Sequence, residues 1–300
     1  MLKHVRPQWA VLALGTVAAL ALTGCASNKE GGGGPTGTVT GTVTQNTSLA
    51  DLLPAKIKAA GKLLIGVNVP YTPNEYKDSS GKIVGFDVDL LDATAKVLGL
   101  TTSYKEADFD KIIPAIETGT YDIGMSSFTD NKTREKTVDF VNYFSAGIMW
   151  ASQTGKTVDP DNACGLKVSV QATTTEDTDE IPQKSAACVK AHKKPITKLK
   201  FVRQDDATNA LVLGRVDAMS ADSPVTAYAI KVSSGKIQQA GKIFDSAPYG
   251  WPIKKQSTLV QAMQKALQQL IDNGTYDQIC KKWGVQTGEI KTATVNGAVS

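Results

Sequence analysis

"FDKIIPAIETGTYDIGMSSFTDNKTREKTVDF", residues 109–140, combines helix-like, strand-like and polar segments in one continuous stretch. It opens with a short apolar segment at helical spacing, and "YDIGM" (121–125) then has the composition of a short strand. Polar residues follow that strand at once: Ser127 and Thr129, and then Arg134. The stretch therefore predicts a helix–strand unit with a polar site just beyond the end of the strand.

The same alternation of strands and helices occurs elsewhere in the chain. "KLLIGVNV" (62–69) is typical of a strand and "GFDVDLLDATAKVLGL" (85–100) of a helix; the rhythm restarts with the strand "LKVSVQ" (166–171). Repeated βα units favour an α/β fold with a mostly parallel sheet flanked by helices. The interruption between the two series predicts two lobes.

The N-terminus has the pattern of a secretion signal. Lys3 and Arg6 precede an apolar run of 14 residues, from Trp9 to Leu22. A permanent membrane-spanning helix needs about 20 such residues, so the run is typical of a signal peptide, predicted over residues 1–24. The mature chain is expected outside the cytoplasm.

"LTGC", which ends at Cys25, resembles the lipobox of bacterial lipoproteins, in which the cysteine carries the lipid. The alternative is an ordinary signal peptide with a chance cysteine. The following segment, residues 25–49, is rich in Gly and Thr and predicts a flexible tether. These features predict a chain that is lipid-anchored at the outer face of the cytoplasmic membrane.

Composition restricts the class of function. The chain has 300 residues, 41% hydrophobic and 21% charged, which allows a sizeable core. Loss of Lys3 and Arg6 with the signal lowers the net charge from +4 to +2, which argues against a nucleic-acid partner. His192 is the one histidine of the mature chain, so the composition argues against a His-ligated metal site or a histidine-based catalyst.

Three cysteines remain after Cys25. In an exported protein a disulfide between Cys164 and Cys188 is plausible, closing a loop of about 25 residues. Cys280 is then expected to be a buried thiol.

Four motifs, in this order and at these distances, resemble the family 3 extracellular solute-binding proteins, which serve ABC importers of polar amino acids. They are "GKIVGFDVDLLDATAKVLGL" (81–100), "DFDKIIPAIETGTYDIGMSSFTDNKTREKTVDF" (108–140), "GRVDAMSADSPVTAY" (214–228) and "DNGTYDQICKKWG" (272–284). The resemblance covers residues 50–287, which is nearly the whole chain beyond the tether.

The resemblance implies a two-lobed periplasmic-binding-protein-like (type II) fold with a two-stranded hinge. Lobe 1 is expected over residues 50–149 and 247–290, and lobe 2 over residues 150–246. The ligand, a free amino acid, is expected in the cleft between the lobes. A monomer that docks on an ABC transporter permease, without a cofactor or metal, is implied as well.

The resemblance also assigns the two charged groups of the ligand. Arg134 would bind the carboxylate through its planar fork, with donors from Ser127 and Thr129, and Asp222 would bind the ammonium group. Thr129 or Asp130 is expected to cap the helix that carries Arg134. Taken alone, the stretch favours the alternative, a surface arginine at the start of a helix.

A second-lobe turn, "VQATTTED" (170–177), matches the family's strand-to-helix connection. Gln171 and Thr175 are assigned to ligand binding there, although Thr174 and Thr175 also fit a capping role alone. Thr173 stands where the family usually has glycine.

The ligand side chain is expected between the aromatic residues Tyr71 and Phe109, for which core packing is the alternative. Asn68 replaces a common aspartate and Asn74 a common aromatic residue of the family. Glu75 is a candidate for binding the ligand side chain, although a surface position fits it equally well. The sequence thus favours glutamine or another polar neutral amino acid, or a basic one paired with Glu75, over an acidic ligand.

Two other functions remain open. An enzyme on the same scaffold, such as a dehydratase, would need an acid and a base at the cleft. HExxH, GxSxG and P-loop motifs are absent from the sequence, and His192 lies in the basic stretch "AHKKP". An amino-acid sensor would share the same binding site.

Overall fold

The computed structural model describes residues 43–299. The predicted signal peptide, Cys25 and most of the predicted tether lie outside these residues. The described part contains nine α-helices: α1 Thr47–Ala50, α2 Ala55–Ala60, α3 Phe86–Val97, α4 Phe109–Glu117, α5 Ile181–Lys190, α6 Gln204–Val212, α7 Ser223–Val232, α8 Leu259–Asp272 and α9 Thr275–Trp283.

The strands of the described part form one large sheet and one hairpin. They are β1 Lys62–Val67, β2 Tyr76–Lys77, β3 Ile83–Val84, β4 Thr101–Glu106, β5 Ile123–Gly124, β6 Val138–Gln153, β7 Lys167–Gln171, β8 Thr197–Phe201, β9 Ala218–Asp222 and β10 Ile237–Lys254. Eight strands form the sheet in the order β4-β1-β5-β10-β6-β9-β7-β8, and β2 pairs with β3.

The long antiparallel strands β6 and β10 run through the middle of the sheet and divide it into two lobes. The first lobe contains the parallel strands β4, β1 and β5, joined to β10 by the pair Ile253–Ile123. The second lobe contains the parallel strands β9, β7 and β8, with β9 antiparallel to β6. The predicted α/β, two-lobed type II fold is therefore confirmed.

Each lobe has its own hydrophobic core. The larger cluster, in the first lobe, includes Phe86, Leu90 and Trp251, whereas the second lobe buries two smaller clusters around Trp150 and Leu211. Separate cores allow each lobe to remain folded while the two lobes move relative to each other.

The crossing strands approach each other closely at Gly147. A Cβ atom there would lie 2.5 Å from Cγ2 of Ile243 and 2.8 Å from the carbonyl oxygen of Phe244. Only glycine allows the backbones to pass at this distance.

Two local elements differ from the sequence-based expectation. The strand-to-helix connection expected at residues 170–177 does not lead straight into an α-helix: it continues as one π-helical turn, Glu176–Glu180, and the chain becomes α-helical only at Ile181. Pro182 has no N–H to donate to the preceding turn, so the regular α pattern starts beside it. The other difference is α1, which lies in the segment assigned to the tether, where Asn46 caps it and Leu49 packs against the core.

The predicted disulfide between Cys164 and Cys188 is present, with 5.5 Å between the Cα atoms. It ties the loop before β7 to α5. Cys280 is a buried free thiol, as expected, and burial raises its pKa to about 12, which makes the thiol unreactive at neutral pH. No helix within residues 43–299 is both long and apolar enough to cross a membrane.

Replacing both bridged cysteines, in the double variant Cys164→Ser and Cys188→Ser, is expected to lower the free energy of unfolding by about 3 kcal/mol, because the closed loop restrains the unfolded chain. Urea denaturation measures this loss. A reductant should lower the midpoint of the original chain and leave that of the double variant unchanged. Equal stability of the two chains would contradict a stabilising role for the bridge.

Candidate functional site

A cavity of about 260 Å³, part of it open to solvent, lies between the lobes. Its lining comes from both lobes: Tyr71, Phe109, Ser126, Ser127, Gln171, Thr174 and Asp222. These residues stand at or just beyond the carboxyl ends of β1, β4, β5, β7 and β9. Parallel strands bring such positions to one edge of a sheet, which is where open α/β sheets bind ligands.

Arg134 lies at the start of a single 3-10 turn, Arg134–Lys136, instead of a regular helix. The expected capping by Thr129 or Asp130 is wrong, because the side-chain oxygen of Asn131 accepts the Arg134 N–H at 2.8 Å. Asp130 is buried and accepts a hydrogen bond from Asn142. The loop thus fixes the direction of Arg134 through its own backbone and Asn131.

The guanidinium group of Arg134 connects the two lobes. It donates to the carbonyl of Thr129 in the first lobe at 2.8 Å and to that of Thr173 in the second lobe at 3.0 Å. Thr173 has a left-handed backbone, with φ of 64°, which explains why glycine suits this position in the related family. Its N–H donates to Asp177 at 2.9 Å, which holds the turn in place.

Two stacked phenylalanines support the same guanidinium group. The ring centroids of Phe109 and Phe128 are 4.4 Å apart, and the central carbon of Arg134 lies 5.5 and 5.6 Å from them. Cation–π attraction adds to the hydrogen bonds in orienting the side chain. Phe109 thus lines the cavity and also supports Arg134.

Asp222 ends β9 and faces the cavity from the second lobe. Tyr71 of the first lobe donates its hydroxyl to Asp222 at 2.6 Å, and the buried Tyr249 hydroxyl, which forms no hydrogen bond of good geometry, interacts electrostatically with the same carboxylate. Burial and the nearby Glu176 raise the pKa of Asp222 well above its usual value, despite attraction to Arg134. A cation beside Asp222 would stabilise its charged form.

Asn68 and Gln171 bind each other across the cleft. The Gln171 amide donates to Oδ1 of Asn68 at 2.8 Å and also to the carbonyl of Val202 at 3.1 Å. The Asn68 amide donates to the carbonyl of Ala107 at 2.9 Å. The hydrogen bond between these two side chains therefore links the two lobes across a closed cleft.

Behind the cavity wall lies a pair of buried carboxyl groups, Glu75 and Asp87. Full burial of Glu75 excludes the surface position that the sequence allowed. Ser126 donates to Glu75 at 2.9 Å, and Ser127 donates to Asp87 at 3.0 Å. Burial raises the pKa of Asp87 to about 6, and burial together with the Asp87 charge raises the pKa of Glu75 well above its usual value.

Sequence reasoning did not assign several residues at the site. Ser126 and Thr174 line the cavity, whereas Thr175, one position further, points its hydroxyl towards Glu176 at 3.4 Å. Glu176 is buried, its Oε1 has no hydrogen-bond partner, and it interacts electrostatically with Arg134 and Asp222. In the sequence, the feature that could have indicated Glu176 is its position as an acidic residue directly after the "TTT" turn.

The described residues include no group of three or more His, Cys, Asp or Glu suited to hold a metal ion. A guanidinium group from the first lobe and a carboxylate from the second instead lie at the cleft. Asp222, Tyr71 and Phe109 line the cavity, and Arg134 packs against Phe109 without being one of the lining residues. Such a cleft can enclose a small molecule that carries both charges.

The sequence matches the bacterial extracellular solute-binding proteins, family 3, over residues 63–286. The arginine-binding protein ArgT of Corynebacterium glutamicum is 41% identical over 294 residues, which are 97% of this chain and 96% of that protein. The ABC transporter glutamine-binding protein GlnH of Bacillus subtilis is 30% identical, covering 76% of this chain and 83% of its own.

Among solved structures, an ancestral arginine-binding protein bound to arginine superposes with a TM-score of 0.68 at 33% identity. The match covers 74% of this chain and 98% of the ancestral protein. With its two-lobed fold and interlobe cleft, the chain belongs to the bacterial extracellular solute-binding proteins, family 3.

Proposed function

We propose that the chain captures a basic amino acid, arginine in the first place, and delivers it to an ABC importer. The arginine-binding names of the 41% identical relative and of the ancestral structure support this choice. The glutamine-binding relative makes glutamine the main competitor.

The excess of acidic residues around the cleft is the observation that supports a basic ligand. Asp222 and Glu176 interact with Arg134, and the pair Glu75 and Asp87 lies behind the two serines of the wall. The α-carboxylate and α-ammonium of a neutral amino acid would use Arg134 and Asp222 and leave the other acids without a cation. A guanidinium side chain supplies that cation.

The α-carboxylate is assigned to Arg134. The two backbone carbonyls use two of the five guanidinium N–H groups, which leaves donors in a fixed plane for a carboxylate. Thr129 contributes through its carbonyl, which accepts from Arg134, whereas the Ser127 hydroxyl at the cavity wall donates to Asp87 and is not assigned to the carboxylate. Asp222 would accept hydrogen bonds from the α-ammonium group.

The ligand side chain is assigned to the space between Tyr71 and Phe109, which line the cavity. An aromatic face attracts a guanidinium group by about 0.5–2 kcal/mol. Ser126 connects this space to Glu75 and Ser127 connects it to Asp87. We assign the acid pair to charge recognition through these hydroxyl groups.

Closure of the lobes couples binding to transport. Within residues 43–299, three side-chain hydrogen bonds cross the cleft: Tyr71 to Asp222, Gln171 to Asn68, and Arg134 to the Thr173 carbonyl. A ligand shifts the balance towards closure only through contacts that both lobes provide, and moving it from 1:99 to 99:1 takes about 5.5 kcal/mol. The interaction free energy of two desolvated charge pairs, one formed with each lobe, is of that order.

The remaining assignments follow from the family and the N-terminus. We infer that Cys25 carries the lipid, that the Gly- and Thr-rich segment between Cys25 and α1 tethers the body to the outer face of the membrane, and that the monomer acts as a binding protein and not as an enzyme. The relatives' names as binding proteins support the last point.

The proposal is tested by calorimetry of the ligand-stripped protein against arginine, lysine, ornithine and glutamine. We expect arginine to bind most tightly. Arg134→Ala should weaken arginine binding at least about 30-fold, since the ligand carboxylate would be enclosed without its cation. Arg203→Ala, which removes a surface arginine paired with Asp205, is the matched control and should leave affinity unchanged.

Failure of all these amino acids to bind would contradict the proposal, and chemical turnover of a bound amino acid would favour the enzyme. Unchanged affinity in Arg134→Ala would contradict the assignment of the carboxylate.

Arginine affinity is expected to rise with pH between about 5 and 8. The pKa of Asp222 is raised, and that of Asp87 is raised to about 6, so protons occupy these acids at low pH and compete with the cationic ligand. Binding should therefore release protons, which calorimetry in buffers of different ionisation enthalpy measures.

Glutamine provides the matched comparison, because it shares the α-ammonium contact but has no charge for the acid pair. Its affinity should depend less steeply on pH, and Glu75→Gln should reduce the slope for arginine towards that for glutamine. Identical slopes for both ligands in the original chain would contradict the role of the acid pair.

Cys25→Ser is expected to release the protein from the membrane fraction of bacteria that express the full chain, because the lipid is then not attached. Fractionation and immunoblotting measure the distribution. Cys280→Ser, at a cysteine inside the folded body, is the control and should remain with the membrane. Retention of Cys25→Ser would contradict lipid anchoring at this residue.

A further inference from the structure

We propose that the C-terminal tail, residues 289–298, positions the loop that presents Arg134 and so sets ligand affinity without touching the ligand. The inference rests on the proposed carboxylate-binding role of Arg134. The family match ends at residue 286, whereas the described chain continues to residue 299, so the tail lies beyond the shared family sequence.

The tail is anchored on the first lobe before it reaches the loop. Ala293 is buried; its N–H donates to Gln268 and its carbonyl accepts from Gln264, both at 2.9 Å. The tail then pairs with β6 in the manner of an additional short strand, through the bridge between Val141 and Val295.

Asn296 fastens the tail to the start of β6. Its N–H donates to the carbonyl of Phe140 at 3.1 Å, and its side-chain oxygen accepts the Phe140 N–H at 2.8 Å. Its amide also donates to Asp139 at 3.0 Å. Asn296 has a left-handed φ of 54°, a conformation that asparagine tolerates better than most residues.

Asn142 transmits this contact to the loop. Its side-chain oxygen accepts from the Thr294 hydroxyl and from the Gly297 N–H, both at 2.9 Å. With that oxygen held by the tail, the Asn142 amide points at Asp130 and donates to its carboxylate at 2.9 Å. Asp130 lies four positions before Arg134, and its own N–H donates to Pro248 at 2.8 Å.

A second contact reaches the residue that follows Arg134. The N–H of Ala298 donates to Oε1 of Glu135 at 3.2 Å. The tail thus holds the Arg134 loop on both sides, through Asp130 and through Glu135. Its described contacts all lie on the first lobe, away from the residues that line the cavity.

The test uses the full chain and two truncations. One ends at Val295 and removes the contacts of Asn296 to Asp139 and Phe140, of Gly297 to Asn142 and of Ala298 to Glu135. The other ends at Ala298 and keeps them. Calorimetry with arginine should show about tenfold weaker binding for the chain ending at Val295 and no change for the chain ending at Ala298. Asn296→Ala is a milder change and should weaken arginine binding about threefold. This variant replaces the truncation in the test if the truncated chain does not fold.

A double-mutant cycle with Arg134→Lys separates positioning from general stability. Lysine keeps the charge but lacks the planar fork, so the truncation at Val295 should cost less than about twofold in that background. An equal loss in both backgrounds, or no loss in the original one, would overturn the inference. Failure of the full chain itself to bind arginine or glutamine would overturn the proposed function, and the role of the tail with it.

Discussion

Charges enclosed between two lobes that move must be paired across the cleft, and the architecture of this chain meets that requirement. Arg134 comes from the first lobe and Asp222 from the second, and each is surrounded by groups that fix its direction. Leaving one such charge buried and unpaired costs several kcal/mol. The strands β6 and β10 join the lobes while separate cores keep each lobe intact, so the pairing can form and break as the cleft closes and opens.

The buried acidic residues near the cleft add a second electrostatic feature to this pair of charges. Glu75 and Asp87 lie behind hydroxyl groups of the wall, and Glu176 lies beside Asp222. Burial raises the pKa of each, to about 6 for Asp87, so a fall in pH favours their protonated forms and a nearby cation favours their charged forms. Under the proposed function, selectivity for a basic ligand would come from the acids behind the cavity wall as much as from the residues that line it.

Much of the site could be predicted from sequence, because the resemblance to the family assigned its residues and a geometric rule agrees with that assignment. Residues that follow parallel strands meet at one sheet edge, so Tyr71, Phe109, Ser127 and Asp222 reach the cavity whatever the details of packing. The details depend on how the lobes approach each other. The sequence could not indicate that Asn68 and Gln171 bind each other, or that the π-helical turn places Thr174 at the wall instead of Thr175. Whether Glu75 is buried or exposed depends on three-dimensional contacts that the sequence does not show.

A crystal structure of the protein with bound arginine would show whether the charges are paired across the cleft. We expect the ligand carboxylate to accept two hydrogen bonds from the Arg134 guanidinium and its ammonium group to donate to Asp222, each at about 3 Å. A ligand whose carboxylate lies elsewhere, or whose ammonium group is held by one lobe without Asp222, would contradict the pairing of opposite charges across the cleft.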